Sequence, residues 1–381
     1  MTVSGAMPAY LPDLCLTGAQ VLRDGVMTCD TVGVSAGRLA EGRFTQVDLR
    51  GHLILPGMVD LHGCRLEAPL ARGLPAETAI LRADTAAAAA GVTTGCVTLR
   101  WGWTGETEFA DICRTALRAL DGLAPLLRCD LRGQLVVETH SVDQQSSLLA
   151  LLDERPVASL LFRDGLEAAQ RNRAAMPGPV RIAMDRALAQ RGEVPRHLCV
   201  LADALDRKGI PYGSLGDADG ETRDYYTQIG AKLCALPARR AAAALARAVG
   251  DPILLSAPEV LGKGARPCPM AARDMLAGGL GDALVSDGRY PALIEAALTL
   301  AEEGRLGLPA AWWLVSSRPA EILGLRDRGR IANGLRADLV ILNSDRKTVE
   351  ATICDGRLVH ASPAIAARFY DVAPDLPLAA E

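Results

Sequence analysis

Candidate metal ligands stand at the ends of two apolar segments. His62 and Cys64 follow the run LILPGMVDL, and Asp287 follows the run ALVS. Since a single residue separates His62 from Cys64, an extended strand points both side chains to the same face. Imidazole, thiolate and carboxylate groups all bind zinc, and three protein ligands leave one position open. We therefore expect that these three residues bind one divalent metal, zinc or manganese, and that Asp287 acts as general base. In the alternative interpretation no metal binds, His62 is hydrogen-bonded to Asp287, and Cys64 is a buried thiol.

Cationic residues form a second pattern, at predicted strand ends and in the loops that follow them. Two of these cations are Arg65 and Arg128, and the candidate substrate-binding residues are Arg163, Lys263, Arg266 and Arg289. A guanidinium group carries forked donors that match a phosphate or phosphonate. We expect a phosphorylated or otherwise anionic small molecule as the partner. In the alternative interpretation these cations only stabilise the fold by pairing with acidic residues, namely Asp130, Asp217, Asp219 and Glu259.

Eight short apolar runs alternate with amphipathic segments rich in Ala and Leu. This alternation is typical of βα units around a parallel sheet, and eight units predict a closed (β/α)8 TIM barrel, an α/β fold. The site of such a barrel lies at the carboxyl ends of its strands. The predicted strands are Leu53–His62, Val92–Leu99, Ala124–Asp130, Val157–Phe162, Pro211–Asp217, Lys232–Pro237, Pro252–Pro258 and Ala283–Gly288.

The two terminal regions carry a different pattern. Asp24-Gly25, Ala36-Gly37 and Asp355-Gly356 are turn signals between short β-rich runs. Neither region has enough strands to bury a core by itself. We predict that residues 1–52 and 325–381 pair into a small composite β-sandwich, and that residues 53–324 form the barrel.

Two motifs resemble the amidohydrolase superfamily: Pro56–His62 at the end of an apolar strand, and Gly329–Val340 in the second β-rich region. Further segments, among them LHGCRLE, AAAAAGVTT and ALVSDGRYPALIEAAL, resemble one branch of it, the α-D-ribose 1-methylphosphonate 5-triphosphate diphosphatases of phosphonate metabolism. The resemblance runs from about Leu53 to His360. It implies a hydrolase in which one or two divalent metals activate the attacking water.

Most ligand positions that the resemblance implies hold other residue types in this chain. Phe162-Arg163 stands where the branch has an Asp-His pair, and Lys263–Cys268 stands where it has a Gly-Gly-Ser-His-Ser-Gly segment. Asp287 matches a family carboxylate, and Asp130 stands where a Glu is expected. Two functions are therefore predicted. The protein is a hydrolase relative that acts on or binds a phosphorylated small molecule, or it is a catalytically inactive anion-binding or regulatory relative with no metal.

Charge and composition exclude several classes of partner. The 381 residues include 41 Lys and Arg and 45 Asp and Glu, and no run of five like charges occurs. This balance argues against nucleic acid or an anionic membrane as the partner.

The start of the chain lacks a secretory signal pattern, and the ten cysteines form no CxxC pair, so we expect a reduced, cytoplasmic protein. A homo-oligomer is compatible with the sequence.

Overall fold

The computed structural model describes residues 10–102, 107–264 and 271–372. In chain order, its strands are β1 (Leu14–Thr17), β2 (Gln20–Arg23), β3 (Val26–Cys29), β4 (Val32–Ser35), β5 (Arg38–Ala40), β6 (Thr45–Asp48), β7 (His52–Pro56), β8 (Met58–Asp60), β9 (Val92–Trp101), β10 (Asp130–Glu138), β11 (Ser159–Arg163), β12 (Tyr212–Leu215), β13 (Leu233–Ala235), β14 (Ile253–Ser256), β15 (Ala283–Val285), β16 (Leu339–Asn343), β17 (Val349–Cys354) and β18 (Arg357–Ala361).

The helices lie mainly between the strands β8 to β16. In chain order they are α1 (Glu67–Ala71), α2 (Ala76–Ala89), α3 (Thr107–Leu123), α4 (Gln145–Glu154), α5 (Leu166–Arg171), α6 (Gly178–Ala189), α7 (Val194–Lys208), α8 (Gly220–Gln228), α9 (Arg240–Val249), α10 (Ala257–Val260), α11 (Ala271–Ala277), α12 (Pro291–Glu302), α13 (Leu308–Trp313), α14 (Ser317–Ile322) and α15 (Pro363–Tyr370). None of the described helices is both long enough and apolar enough to cross a membrane.

Strands β8 to β15 form an eight-stranded parallel sheet in which each strand pairs with the next along the chain. The first and last strands also meet, because the N–H of Ser286 donates to Asp60 Oδ1 at 3.0 Å and the N–H of Asp287 donates to the carbonyl of His62 at 3.0 Å. The sheet is nearly closed into a barrel. The predicted α/β TIM-barrel fold is therefore confirmed.

The strands are buried on both faces, as parallel strands usually are. One apolar layer fills the barrel interior and includes Val59, Val136, Leu161 and Leu254. A second layer lies between the sheet and the surrounding helices. In α9, for example, Ala242, Ala243 and Ala246 are fully buried. The small side chains of the Ala-rich helices let these helices lie close to the sheet, which explains how a core with few aromatic residues is filled.

The terminal regions supply two further sheets. The six-stranded sheet has the order β18-β17-β16-β7-β2-β3, and the four-stranded sheet has the order β5-β4-β1-β6. Strand β7 lies between β16, to which it is antiparallel, and β2, to which it is parallel. A separate apolar cluster, including Leu14, Val34, Ile54 and Ile341, fills the space between these sheets. Both ends of the chain thus contribute to one β structure beside the barrel.

Two strand predictions differ from the structure. The predicted strand Leu53–His62 is two strands in different sheets, β7 and β8, separated by Gly57. A Cβ atom on Gly57 would lie 2.3 Å from Thr93 Oγ1, so the chain turns where only glycine fits. The predicted strand Ala124–Asp130 is wrong: residues 124–126 form a 3-10 turn, and the strand is Asp130–Glu138. Polar residues at alternate positions of that strand hid its pattern.

Candidate functional site

The segment after β8 is held against β9 at the carboxyl end of the barrel. The N–H of Thr98 donates to the carbonyl of Cys64 at 2.7 Å, and the N–H of Leu66 donates to the carbonyl of Thr98 at 3.0 Å. Arg65 lies between these two hydrogen bonds and forms an isolated bridge with Thr98. Because its backbone is fixed on both sides, the Arg65 side chain starts from a defined position at the mouth of the barrel.

Arg65 forms an ion pair with Asp287, which follows the last barrel strand. Arg65 Nη2 lies 2.7 Å from Asp287 Oδ1, and Ser256 Oγ donates to Asp287 Oδ2 at 3.3 Å. Asp287 has φ of +48°, a left-handed conformation that Asp tolerates better than most residues. The ion pair joins the ends of β8 and β15 at the mouth of the barrel.

His62 is buried and oriented by Gln134. The two atoms His62 Nδ1 and Gln134 Oε1 are 2.6 Å apart. Gln134 Nε2 donates to the carbonyl of Leu61 and to Ser159 Oγ, both at 2.8 Å. Since these two donations fix the amide nitrogen, the amide oxygen faces the imidazole and His62 Nδ1 is the donor. Nε2 is therefore the basic nitrogen of the neutral ring.

Cys64 is a neutral thiol in this environment. Burial raises its pKa to about 11, and the carboxylates of Glu67 and Asp60 add to the shift. Metal ligation requires the thiolate. Asp287 is already paired with Arg65. As they are arranged, His62, Cys64 and Asp287 therefore do not fit a divalent metal, and no group of three His, Cys, Asp or Glu side chains within the described ranges is placed to hold one.

A second group of charges lies around Glu138 at the end of β10. The Glu138 side chain is fully buried. It accepts hydrogen bonds from Arg100 Nη2 at 2.6 Å, from Arg163 Nη1 at 3.3 Å and from the N–H of Gly165 at 2.8 Å. A Cβ atom on Gly165 would lie 2.7 Å from Glu138 Oε2, so a side chain there would displace the carboxylate. Glu138 thus holds two arginine side chains that come from β9 and β11.

Glu67 connects the two groups electrostatically. Burial raises the pKa of its carboxyl group, and the positive charges of Arg65, Arg100 and Arg163 oppose that shift. Its Oε2 atom is buried and accepts no hydrogen bond from the described residues. We call Arg65, Arg100 and Arg163 the arginine cluster. Its three guanidinium groups come from residues at or just after the ends of three barrel strands, and the charges of all three act on the Glu67 carboxyl group.

Of the predicted substrate-binding residues that the structure describes, only Arg163 belongs to the arginine cluster. Lys263 and Arg289 both pair with Glu295 on α12, at 3.2 Å and 2.6 Å. Arg266 lies outside the described residues. The acidic partners also differ from those expected, since Arg163 pairs with Glu138 and not with Asp130, Asp217, Asp219 or Glu259.

Arg100, Glu138 and Glu67 are site residues that sequence reasoning missed. Asp130, which we placed at a carboxyl strand end, begins β10 and lies at the opposite end of the barrel, where it pairs with Arg328 at 2.6 Å. Arg128 precedes the same strand, so it is also at the amino end. The signal for Glu138 is present in the sequence, because a carboxylate ends the apolar run LVVE.

Comparison with known proteins agrees with this architecture. Residues 234–360 match the amidohydrolase family. Over 158 residues the chain is 37% identical to alpha-D-ribose 1-methylphosphonate 5-triphosphate diphosphatase of Escherichia coli (strain K12), and this stretch covers 41% of each protein. The chain thus spans about two-fifths of the length of the curated relative that it matches.

Solved structures with the same fold cover nearly the whole chain. N-acetyl-D-glucosamine-6-phosphate deacetylase from Mycobacterium smegmatis has a TM-score of 0.64 at 17% identity and covers 91% of this chain and 100% of its own. A prolidase complexed with N-methylphosphonate-L-proline has a TM-score of 0.64 at 16% identity, with 92% and 100% covered. At these identities the similarity shows the fold alone. From the family match and the sequence relative, the predicted resemblance to the amidohydrolase superfamily, and to its α-D-ribose 1-methylphosphonate 5-triphosphate diphosphatases, is confirmed.

Proposed function

We propose that this protein acts on or binds a phosphorylated small molecule, of the kind handled by the diphosphatases of phosphonate metabolism, at the carboxyl face of the barrel. The arginine cluster is the observation that carries the proposal. Guanidinium groups match the geometry of phosphoryl oxygens. The three guanidinium groups of the cluster lie at the carboxyl end of the barrel strands, which is the end where TIM barrels bind their substrates. The named activity of the sequence relative supports a phosphorylated ligand.

Incomplete pairing of the cluster favours ligand binding over a purely structural role. The Arg65 and Arg163 side chains keep 53% and 39% of their surface exposed. Arg100 Nε is buried and finds no acceptor among the described residues. An unpartnered buried donor is costly, and an oxygen of a bound phosphoryl group would satisfy it.

Lys263 and Arg289 form a second basic region, after β14 and β15. Lys263 and Arg289 both pair with the carboxylate of Glu295, so one acidic group holds two cations there. We propose that this region attracts a second anionic group of the same ligand. Its exposure makes each contact weaker than a contact in the arginine cluster.

Calorimetry with inorganic pyrophosphate tests the proposed function. We expect saturable binding by the wild-type protein and at least about tenfold weaker binding by Arg163→Ala, because a charge-assisted hydrogen bond is lost. Arg50→Ala is the matched control, since Arg50 lies between β6 and β7, outside the barrel sheet, and its side chain is 81% exposed. The proposal is wrong if the wild type gives no saturable heat, or if Arg163→Ala and Arg50→Ala bind alike.

The second candidate function is a hydrolase with one divalent metal held by His62, Cys64 and Asp287, and with Asp287 as general base. The orientation of His62 favours it, because a metal-bound imidazole usually donates its other N–H to a neighbouring oxygen, as Nδ1 does to Gln134. To hold a metal, Asp287 would have to give up its ion pair with Arg65, and the Cys64 thiol would have to lose its proton.

Metal content tests this second candidate. Mass spectrometry after incubation with zinc or manganese should find one metal per chain that is lost in Cys64→Ala and Asp287→Ala. If such metal is found, unchanged hydrolysis by Asp287→Asn would still contradict the general-base role. A wild-type protein that retains no metal would leave the catalytically inactive, anion-binding form of the proposal.

A further inference from the structure

We propose that the segment between β11 and α7, residues 166–193, is a lid that closes over the ligand of the arginine cluster. This inference rests on the proposed function, because the cluster supplies the ligand over which the segment closes. In the closed arrangement the segment keeps the ligand in the mouth of the barrel and slows its release. Two features of the segment carry the inference: its separate packing and its attachment to Glu138.

The segment is additional to the βα pattern of the barrel. After β12 and β13 the next helices follow short loops and begin at Gly220 and Arg240. After β11 the helix that packs on the barrel is α7, whose side chains Leu198, Leu201 and Leu205 are fully buried. Helices α5 and α6 precede it. Since the loops after the strands of a TIM barrel lie on the face that binds substrates, the segment belongs to the mouth of the barrel.

The segment packs mainly on itself. Its buried residues Leu166, Ala183, Met184 and Ala187 form an apolar cluster that is separate from the cluster around the barrel sheet. Helix α5 packs against α6, and α6 packs against the 3-10 turn that precedes α7. A unit that has its own small core and few contacts with the barrel opens and closes locally at low cost.

One ion pair joins α6 to the loop after β10. Arg186 Nη1 lies 3.8 Å from Asp143 Oδ2, and these side chains are 52% and 35% exposed. An ion pair that solvent reaches contributes little to stability. This contact therefore places α6 beside the end of β10 without fixing it there.

The attachment at the start of the segment leads to the arginine cluster. Gly165, the residue before α5, donates its N–H to Glu138 Oε2 at 2.8 Å. The other oxygen of this carboxylate accepts hydrogen bonds from Arg100 and Arg163. A ligand that binds these two arginines restrains the carboxylate, and through it the residue at which the lid begins. Ligand binding and closure then favour each other, because a coupling between two equilibria is reciprocal.

The charge of the segment suits an anionic ligand. Residues 166–193 include five arginines and three acidic residues. A positively charged lid is repelled by an arginine cluster that holds no ligand, and it is attracted when an anion occupies the cluster. Electrostatic interactions therefore favour the open segment without a ligand and the closed segment with one.

Hydrogen exchange of the full chain, measured by mass spectrometry with and without inorganic pyrophosphate, tests the closure. We expect the amides of residues 166–190 to exchange at least about threefold more slowly with pyrophosphate, because closure suppresses local opening. Helix α15 is the internal control, since it packs on strands β6 and β17 of the terminal sheets. Its amides should exchange at the same rate in both samples.

Two substitutions on α6 test whether the folded segment retains the ligand. Met184 is fully buried in the cluster of the segment, whereas Ile182, two positions away, is 63% exposed. Met184→Ala leaves a cavity that loosens the segment, and we expect it to weaken pyrophosphate binding in calorimetry by at least about threefold. Ile182→Ala is the matched control and should bind like the wild type. Circular dichroism checks that the barrel stays folded in both variants.

The outcomes separate the lid from the proposed function. If the wild type binds pyrophosphate but residues 166–190 exchange no more slowly, the lid is wrong and the proposed function stands. Equal affinities of Met184→Ala and Ile182→Ala have the same meaning. A wild type without saturable binding overturns both proposals. Should Met184→Ala fail to fold, the exchange measurement on the wild type decides by itself.

Discussion

The two ends of the barrel both carry arginine and carboxylate groups, but the guanidinium groups are enclosed to different degrees. At the amino end the Arg328 side chain is 5% exposed and pairs with Asp130 at 2.6 Å and with Asp327 at 2.9 Å. It also donates to Thr94 Oγ1 at 2.8 Å. At the carboxyl end Arg65 forms one ion pair and its side chain is 53% exposed.

The difference separates a structural arginine from a binding one. Arg328 has acceptors on several sides and closes the amino end of the barrel, so it has little capacity for a ligand. Arg65 and Arg163 keep exposed donors. The residue type is therefore a poor guide to an anion site by itself, whereas the fraction of donors that the protein leaves unpaired is a better one.

The largest expected effect is the loss of stability when the arginine at each end of the barrel is removed. We expect Arg328→Ala to lower the free energy of unfolding by about 3 kcal/mol or more, because it removes a nearly buried guanidinium group that donates to Asp130, Asp327 and Thr94. Arg65→Ala should cost less than about 1 kcal/mol, since solvent reaches the Arg65 side chain, which is 53% exposed. Urea denaturation measures both values, and similar losses in the two variants would break the comparison.

An intermediate effect is expected on the pH dependence of stability, which should have opposite signs for Asp130 at the amino end of the barrel and Glu67 at the carboxyl end. Hydrogen bonds and ion pairs with Arg132 and Arg328 outweigh burial and hold the pKa of Asp130 below 3.8. Its contribution to stability is present above pH 3.8 and is lost as the pH falls through the lower, folded-state pKa. Burial instead raises the pKa of Glu67 above 4.5, so its contribution is present below pH 4.5 and is lost as the pH rises.

The variants Asp130→Asn and Glu67→Gln should therefore change the free energy of unfolding in opposite directions at pH 7, and we would measure it at pH 3, 4 and 7. Asp130→Asn should destabilise the protein at pH 7, by about 2 kcal/mol, and less at pH 3. Glu67→Gln should be neutral at pH 4 and mildly stabilising at pH 7. A loss of stability at pH 7 in both variants would show that Glu67 supports the fold in the same manner as Asp130.

The smallest effect is expected at the second basic region. The Lys263 side chain is 57% exposed and pairs with Glu295, which Arg289 also holds. Lys263→Ala should change the free energy of unfolding by less than about 0.5 kcal/mol and weaken pyrophosphate binding by less than about threefold. A loss of affinity equal to that of Arg163→Ala, measured by the same calorimetry, would move the main anion site from the arginine cluster to this region.

Much of the fold could be predicted because βα units carry a strong local pattern. Strand β10 was misplaced because Asp130, Arg132 and Gln134 alternate along it and interrupt the apolar run. Gln134 donates to the carbonyl of Leu61 and to Ser159, and Asp130 pairs with Arg328, so the burial of these two side chains depends on partners far away in the sequence. The boundary at Gly57 was missed for a similar reason, since the close approach of Thr93 is a tertiary contact.

The candidate site could be predicted only in part, because its chemistry depends on pairing. The motifs placed His62, Cys64 and Asp287 near strand ends, and the structure puts His62 and Asp287 side by side. Sequence alone did not indicate that Arg65 would take Asp287 as partner, since 222 positions separate them. Arg100 was missed because the predicted strand ended one residue too early, and the misplaced strand β10 hid Glu138.

The pairing of β7 with β16 has a consequence for synthesis of the chain. His52 lies opposite Asn343, so the central strand of the six-stranded sheet has an unpaired edge until residue 343 has left the ribosome. Exposed edges of this kind recruit other chains, and the nascent protein carries this one through translation of the entire barrel. We expect chains that stop before β16 to aggregate, although every strand of the barrel has been made.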